Sequence, residues 1–147
     1  WTVVETPEMV ERAASVLASE QLRFLDSLSQ LDSKPDLVLA SSSLQYVDDF
    51  DGYFEQLLGL EAEFFCIDRN PMAQTDEMSI YLQRVFRNDG HWKYETSYPL
   101  YLHPKSTYVE RLTRDYSLMT DVELPDEALV SQEGRESYFF LLGRRRP

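Results

Sequence analysis

Short apolar runs alternate along this chain with stretches in which apolar residues recur every three or four positions. Trp1 to Glu5 is a brief apolar run closed by an acid, the pattern of a buried parallel strand. Thr6 and Pro7 supply an N-cap and a first-turn proline, and Met9, Val10, Ala13, Ala14 and Leu17 follow at helical spacing. A helix is therefore expected over Pro7–Ser19. Leu22 to Leu25 reads as a second strand closed by Asp26, and residues 27–36 are loop-like, punctuated by Lys34 and Pro35. Leu37 to Ala40 is apolar at every position, as a strand covered on both faces should be, with Ser41, Ser42 and Ser43 at its carboxyl end. Asp48 or Asp49 can cap the next helix, whose apolar stripe is Phe50, Tyr53, Phe54, Leu57 and Leu58. Phe64 to Ile67 is a fourth strand, ending at Asp68, Arg69, Asn70 and Pro71.

This alternation implies an α/β fold, a parallel sheet with helices on both sides. The pattern then changes. Met78–Phe86 and Trp92–Ser97 flank Asn88-Asp89-Gly90, a turn signal consistent with a hairpin. The segment 72–98 is expected to be a hairpin-like insertion in a single domain, 1–147. Pro104 opens a third helix with Tyr108, Val109 and Leu112 on one face. Leu118–Leu124 and Tyr138–Leu142 read as two closing strands, with an exposed polar connection over Pro125–Arg135.

Composition narrows the function classes. At 147 residues, 43% hydrophobic and 13% aromatic, one core can be buried. The 26 acidic side chains outnumber the 14 Lys and Arg, for a net charge of -12. Nucleic acid and anionic membrane surfaces reward basic patches, so neither is the expected partner. Only Arg144, Arg145 and Arg146 form a dense basic run, at the end of the chain. The single cysteine, Cys66, excludes an internal disulfide and a multi-cysteine metal site. That suits a reducing compartment, and the chain is expected to be cytoplasmic. No run approaches the roughly 18 apolar residues that span a bilayer, and no secretory signal opens the chain. It starts on Trp1, directly in a strand-like run, and so reads as a piece of a longer protein.

In an open parallel sheet, ligands bind beyond the carboxyl ends of the strands. Those ends carry Glu5, Asp26, the Ser41–Ser43 run, and Asp68 with Arg69. Acids after successive strands suit a nucleoside: one carboxylate can accept from both ribose hydroxyls, another from an adenine amino group. Glu5 is also well placed as a helix N-terminal acid. These runs resemble S-adenosylmethionine-dependent methyltransferases with a Rossmann-like fold. Trp-Thr-Val-Val-Glu-Thr-Pro-Glu-Met-Val and Leu-Arg-Phe-Leu-Asp-Ser-Leu look like the family's second and third strands. Pro-Asp-Leu-Val-Leu-Ala-Ser-Ser-Ser-Leu-Gln-Tyr-Val resembles the fourth strand and its loop, and Phe-Cys-Ile-Asp-Arg-Asn-Pro the fifth. With the later Tyr-Pro-Leu-Tyr-Leu, they are similar to a group of bacterial methyltransferases of unassigned substrate.

The resemblance implies a three-layer sheet, mostly parallel, with an antiparallel C-terminal strand pair, and S-adenosylmethionine as cofactor. It assigns Glu5 to the ribose and Asp26 to the adenine, with Ser27 and Leu28 near the ring. Ser41, Ser42 and Gln45 would border the methionine end and the transferred methyl. Many relatives hold histidines where Gln45-Tyr46 stand, and Gln45 cannot take a proton at neutral pH, which weakens base catalysis there. The family's glycine-rich first strand-loop is missing: Gly52, Gly59, Gly90, Gly134 and Gly143 form no Gly-x-Gly. That strand would sit between the second and fourth. Unpaired backbone is costly when buried, so the flanking strands are expected to close up, or another segment to fill the slot. An exposed edge there would favour homo-oligomers.

Other signals compete. Asp48, Asp49 and Asp51 could hold a cation or cap a helix, but lack a calcium-loop ladder. A metal-dependent glycosyltransferase using paired aspartates is the alternative enzyme. The serine run lacks a nucleophile-elbow frame, and His91, His103 and Cys66 have no zinc spacing, so no metal site is expected. Trp92, Tyr94, Tyr98, Tyr101 and Tyr108 form a dense aromatic segment, which suits core packing or an acceptor pocket. Asp68, Arg69, Tyr94, Tyr98 and Tyr101 are the candidate acceptor contacts. The expected function is methyl transfer to a small-molecule or glycan-type acceptor. Its rival is a non-catalytic binding or scaffolding domain of the same fold.

Overall fold

A computed structural model describes the backbone of residues 1–88, 93–130 and 135–147, and the side chains of 1–86, 95–124 and 136–147. Strand β1 (Thr2–Val4) leads into helix α1 (Pro7–Leu17) and strand β2 (Arg23–Leu25). Strand β3 (Leu37–Ser41) leads to helix α2 (Phe50–Leu58) and strand β4 (Phe64–Pro71). Strands β5 (Ser79–Asn88) and β6 (Lys93–Leu102), helix α3 (Lys105–Asp115), β7 (Tyr116–Val130) and β8 (Arg135–Arg145) complete the chain. Each strand and helix read from the hydrophobic pattern is present, with shifted ends. Helix α1 stops at Leu17 rather than Ser19, and Ser19 bridges back to Leu22. Thr6 occupies the cap position of α1 without a side-chain capping bond, and Pro7 opens the helix. Asp49 caps α2, its Oδ1 accepting from the Gly52 N–H at 3.1 Å.

The described sheets are mixed. Strand β1 pairs parallel with β2, in register Val4 to Leu25. A four-stranded sheet runs β3-β4-β8-β7. Its β3–β4 pair is parallel, and β8 is antiparallel to both β4 and β7. Strands β5 and β6 form a separate antiparallel ladder. Their connection, including Asp89 and Gly90 of the expected turn, lies outside the described residues. Of the expected connection over Pro125–Arg135, residues 131–134 and the side chains of 125–135 lie outside the described residues; the backbone of β7 continues to Val130, which pairs with Arg135, after a register shift between Leu124 and Ala128. Two β-bulge-prone strands extend farther than apolar content alone suggests, because backbone pairing with β8 does not require apolar side chains.

The core lies on one face of the four-stranded sheet. Val38, Ala40, Phe65, Ile67, Phe139 and Leu141 meet Phe50, Phe54, Leu57 and Leu58 of α2 and Tyr108 and Leu112 of α3. The opposite face of β3 is not covered: Leu37 and Leu39 are 37% and 47% exposed, against 7% for Val38. This corrects the expectation that β3 is buried on both sides.

The expectation for the missing slot is also overturned. Strand β1 forms a sheet with β2 alone and does not pair with β3, and no described segment lies hydrogen-bonded between them. Closure is required only where the strand edges are buried. Here β1 is only half-buried and β3 alternates exposed with buried, so water can satisfy the free edge groups and the penalty is avoided. Among the described residues, no helix is long and apolar enough to cross a membrane.

Candidate functional site

Glu5 and Asp26 directly follow Val4 and Leu25, which are register partners in adjacent parallel strands. Both acids therefore occur at one carboxyl rim. The Glu5 N–H donates to the Leu25 carbonyl at 3.0 Å, extending the ladder by one bond. Its carboxylate accepts from the Thr6 N–H at 3.2 Å, the helix-start role open to it, yet it is exposed and keeps further acceptor capacity. Burial, and then the Glu5 charge, raise the Tyr53 hydroxyl above the ordinary tyrosine value. Ser27 caps the 3-10 turn Leu28–Gln30 by accepting from the Ser29 N–H at 3.2 Å. Leu28 packs against the main core.

The ends of β3 and β4 form a second cluster. The Ser41 hydroxyl donates to Asp68 Oδ2 at 2.8 Å, and Arg69 Nε lies 3.3 Å from the same oxygen. Ser42 and Arg69 both have φ of 48°, the left-handed region that disfavours residues with a Cβ. The Ser42 N–H donates to the Asp68 carbonyl at 2.9 Å, and its hydroxyl to the Arg69 carbonyl at 2.9 Å. Two turns of strained backbone thus curl the ends of neighbouring strands and hold each other.

Asn70 anchors this curl. It is 0% exposed. Its amide donates to the Ala40 carbonyl at 3.1 Å and the Asp68 carbonyl at 2.9 Å, and its Oδ1 accepts from the Leu44 N–H at 3.1 Å. In the sequence Asn70 belongs to no recognisable motif. The available signal was an amide directly before the apolar run Pro71-Met72-Ala73, where a polar side chain that is buried must find partners.

Asn70 thereby fixes the 3-10 turn Leu44–Tyr46. Gln45 on that turn is 1% exposed, and its Oε1 has no hydrogen-bond partner among the described residues. The Tyr46 hydroxyl is 3.1 Å from Gln83 Oε1 of β5, and its ring meets Tyr98 of β6 edge-on, centroids 5.2 Å apart. The hairpin arm is thus fastened to the turn that follows β3. Tyr98 and Tyr101 lie on opposite faces of the ladder, because side chains alternate along a strand in unbroken register. The two do not form one wall. Tyr94 pairs with Arg87 in the backbone ladder, and its side chain lies outside the described residues.

His103 lies just beyond β6. Its ring stacks on Phe50, centroids 4.0 Å apart, and its Nε2 is buried without a partner among the described residues. Burial lowers its pKa below the ordinary histidine value; the Asp51 charge opposes this and Arg111 adds to it. The sign for stability follows. Between the ordinary pKa of about 6.5 and the lower native one, the unfolded chain holds a proton that the folded chain does not. Stability from the neutral ring is full above that range and falls as pH drops through it. The melting temperature is expected to fall more between pH 7.5 and 5.5 in the native protein than in His103→Gln; parallel profiles would show that His103 does not contribute.

The aspartates before α2 have other roles. Asp48 Oδ1 accepts from the Asp49 N–H at 2.9 Å, Asp49 caps the helix, and Asp51 pairs with Arg111 at 2.5 Å. Among the described residues, no three His, Cys, Asp or Glu side chains converge as a metal site.

No protein-family model and no curated protein matches the chain. Among solved structures it is similar to an S-adenosylmethionine-dependent methyltransferase from Clostridium acetobutylicum, with 16% identity and TM-score 0.59, covering 99% of this chain and 75% of that one. It is also similar to the glycopeptide N-methyltransferase MtfA complexed with S-adenosyl-L-methionine, with 13% identity and TM-score 0.64, covering 99% and 72%. The same enzyme with S-adenosyl-L-homocysteine gives 12% identity and TM-score 0.63, covering 99% and 72%. At such identities the likeness establishes the fold: an α/β fold of the kind seen in methyltransferases.

Proposed function

We propose that this chain is the larger part of a Rossmann-like methyltransferase domain and serves methyl transfer from S-adenosylmethionine to a small-molecule or glycan-type acceptor. The carrying observation is the pair of acids, Glu5 and Asp26, at the same rim of adjacent parallel strands. In this reading the sheet order is β2-β1, a slot, then β3-β4-β8-β7, and the slot takes a strand outside this chain's described residues. The completed sheet is three-layered.

The residues present fit the nucleoside end of the cofactor. Glu5 has acceptor capacity for ribose hydroxyls, Asp26 can accept from the adenine amino group, and Ser27 and Leu28 flank the ring. The cofactor supplies an electrophilic methyl group on a sulfonium. Ser41, Ser42 and Gln45 border that reacting end, held by the Asn70 anchor. Asp68, Arg69 and Tyr98 line the approach, with Tyr94 and Tyr101 on the arm beyond. Methyl transfer depends mainly on alignment and exclusion of water, so a rigid turn is a suitable support. The similarity to a glycopeptide N-methyltransferase fold supports a glycan-type acceptor.

A hydrogen bond to a charged group contributes about 1.5–3 kcal/mol. Glu5→Ala is therefore expected to weaken S-adenosylmethionine binding about 10- to 100-fold in calorimetric titration. Unchanged affinity would remove Glu5 from the site, and no binding by the unaltered protein would remove the cofactor. That β1 does not pair with β3 favours a second reading, a non-catalytic binding domain of this fold. Cofactor binding without methyl transfer to any acceptor would select it.

A further inference from the structure

Strand β5 carries an uncovered stripe and an unpaired edge together. Met78, Ile80, Leu82 and Phe86 fall on one face of it and are 48%, 60%, 61% and 69% exposed. The intervening side chains face the body of the protein: Tyr81 packs on the Ala73, Leu100 and Leu102 cluster, and Gln83 meets Tyr46. The other strand edges are blunted in ways that discourage pairing with another chain. Strands β1 and β2 are three residues long, β3 is five, β6 carries Pro99, and β7 carries Pro125 and two register shifts. Strand β5 runs ten residues, Ser79–Asn88, without a proline and in unbroken register with β6, its sole strand partner among the described residues. Pro99 has no N–H, and a proline fits a ladder where its nitrogen points away from the partner strand. Its register partner Leu82 then aims its own N–H and carbonyl at the open edge of β5, and Ile80 and Arg84 do the same by alternation.

We propose that β5 pairs antiparallel with β5 of a second copy of this chain, about a two-fold axis at Leu82, making one four-stranded sheet β6-β5-β5-β6. Strand pairing is its own complement under a two-fold, so one contact uses up both edges and leaves the proline-bearing β6 outermost: the assembly closes at two. The side chains select the register. With Leu82 opposite Leu82, Ile80 stands opposite Arg84 and Met78 opposite Phe86, so every apolar residue of the stripe gains a cross-strand neighbour on the same face. The charges agree. Strand β5 holds only basic charges, Arg84 and Arg87, in a chain of net charge -12. The two Arg84 positions lie four residues apart along the sheet, about 14 Å, beyond the screening length of about 10 Å at 0.1 M salt. At each end, position 87 comes beside Asp76 and Glu77 of the second copy, the acids that precede β5. A two-fold at Arg84 would instead set like charges directly opposite each other.

Sedimentation equilibrium of the 147-residue chain over a concentration series should show monomer and dimer in exchange. Amide exchange reads the edge itself: the Ile80, Leu82 and Arg84 N–H groups should be protected in the dimer and exchange freely on dilution. Both measurements use the unaltered chain, so neither depends on a variant folding. Leu82 is exposed, so Leu82→Lys and Leu82→Glu should each keep the parent melting temperature. Each should weaken the dimer about 10-fold or more by like-charge repulsion at the axis. An equimolar mixture of the two variants should recover the parent affinity, because the axis then holds an ion pair. A monomer at every concentration overturns the proposal. So does a dimer that survives Leu82→Lys, which forms through another edge or face. A mixture that associates no better than its components overturns the two-fold at Leu82. A dimer whose three amides still exchange freely is a face-to-face stack of the stripes, and it overturns edge pairing.

Discussion

Asn70→Ala should lower stability by about 3 kcal/mol, a fall in melting temperature of roughly 10 °C for a chain of this size. The substitution removes three hydrogen bonds at once, two of them buried and one partly buried. It also leaves the Leu44 N–H without an acceptor, since that group has no other bond among the described residues. The loss is local as well as global. The turn bearing Gln45 is bonded to β4 through Asn70, and the strained backbone at Ser42 and Arg69 is held by the same network. Binding of S-adenosylmethionine should therefore weaken in Asn70→Ala even at temperatures where the variant is folded. Thermal unfolding followed by titration on the same sample checks both parts. A variant as stable as the parent would mean that water replaces the Asn70 amide without loss.

Phe54→Ala should be costlier still, about 3–5 kcal/mol, the range for truncating a buried aromatic ring. Phe54 is fully buried at the centre of the α2 face. Its ring stacks on Phe50 with centroids 5.2 Å apart, and meets Phe65 and Tyr108 edge-on at 5.6 and 6.0 Å. Removing it opens a cavity between α2, α3 and β4 that these stiff rings cannot close. Denaturant unfolding measures the loss. The contrast with Asn70→Ala lies in ligand affinity: well below its melting point, Phe54→Ala should bind S-adenosylmethionine nearly as the parent does, because no residue of the two rims is touched. A large loss of affinity would mean that the aromatic cluster also positions the site.

The hydrophobic pattern made the α2 stripe legible, since Phe50, Phe54, Leu57 and Leu58 form a single face and all four are buried. The rim acids were legible too, because a carboxylate ending a short apolar run falls at a strand end whatever the sheet around it. Burial of β3 was not. Leu37 and Leu39 are as apolar as Val38, and composition cannot say whether a layer exists to cover them. Separation of β1 from β3 escaped for a related reason: an edge is costly only if dry, and solvent access is a property of the assembled chain. Asn70 was hidden differently. Its importance lies in hydrogen bonds to residues 26 and 30 positions away in sequence, which no local spacing encodes.

The separate β1–β2 ladder has a thermodynamic consequence. No residue of α1 is buried, and neither short strand contributes a side chain to the main core. The β1–α1–β2 unit therefore belongs at the low end of the local opening free energies, where segments unfold and refold while the rest of a protein stays native. A ligand bridging Glu5 and Asp26 would have to order this unit as it binds, so part of its interaction energy is spent on folding the first 26 residues rather than on affinity.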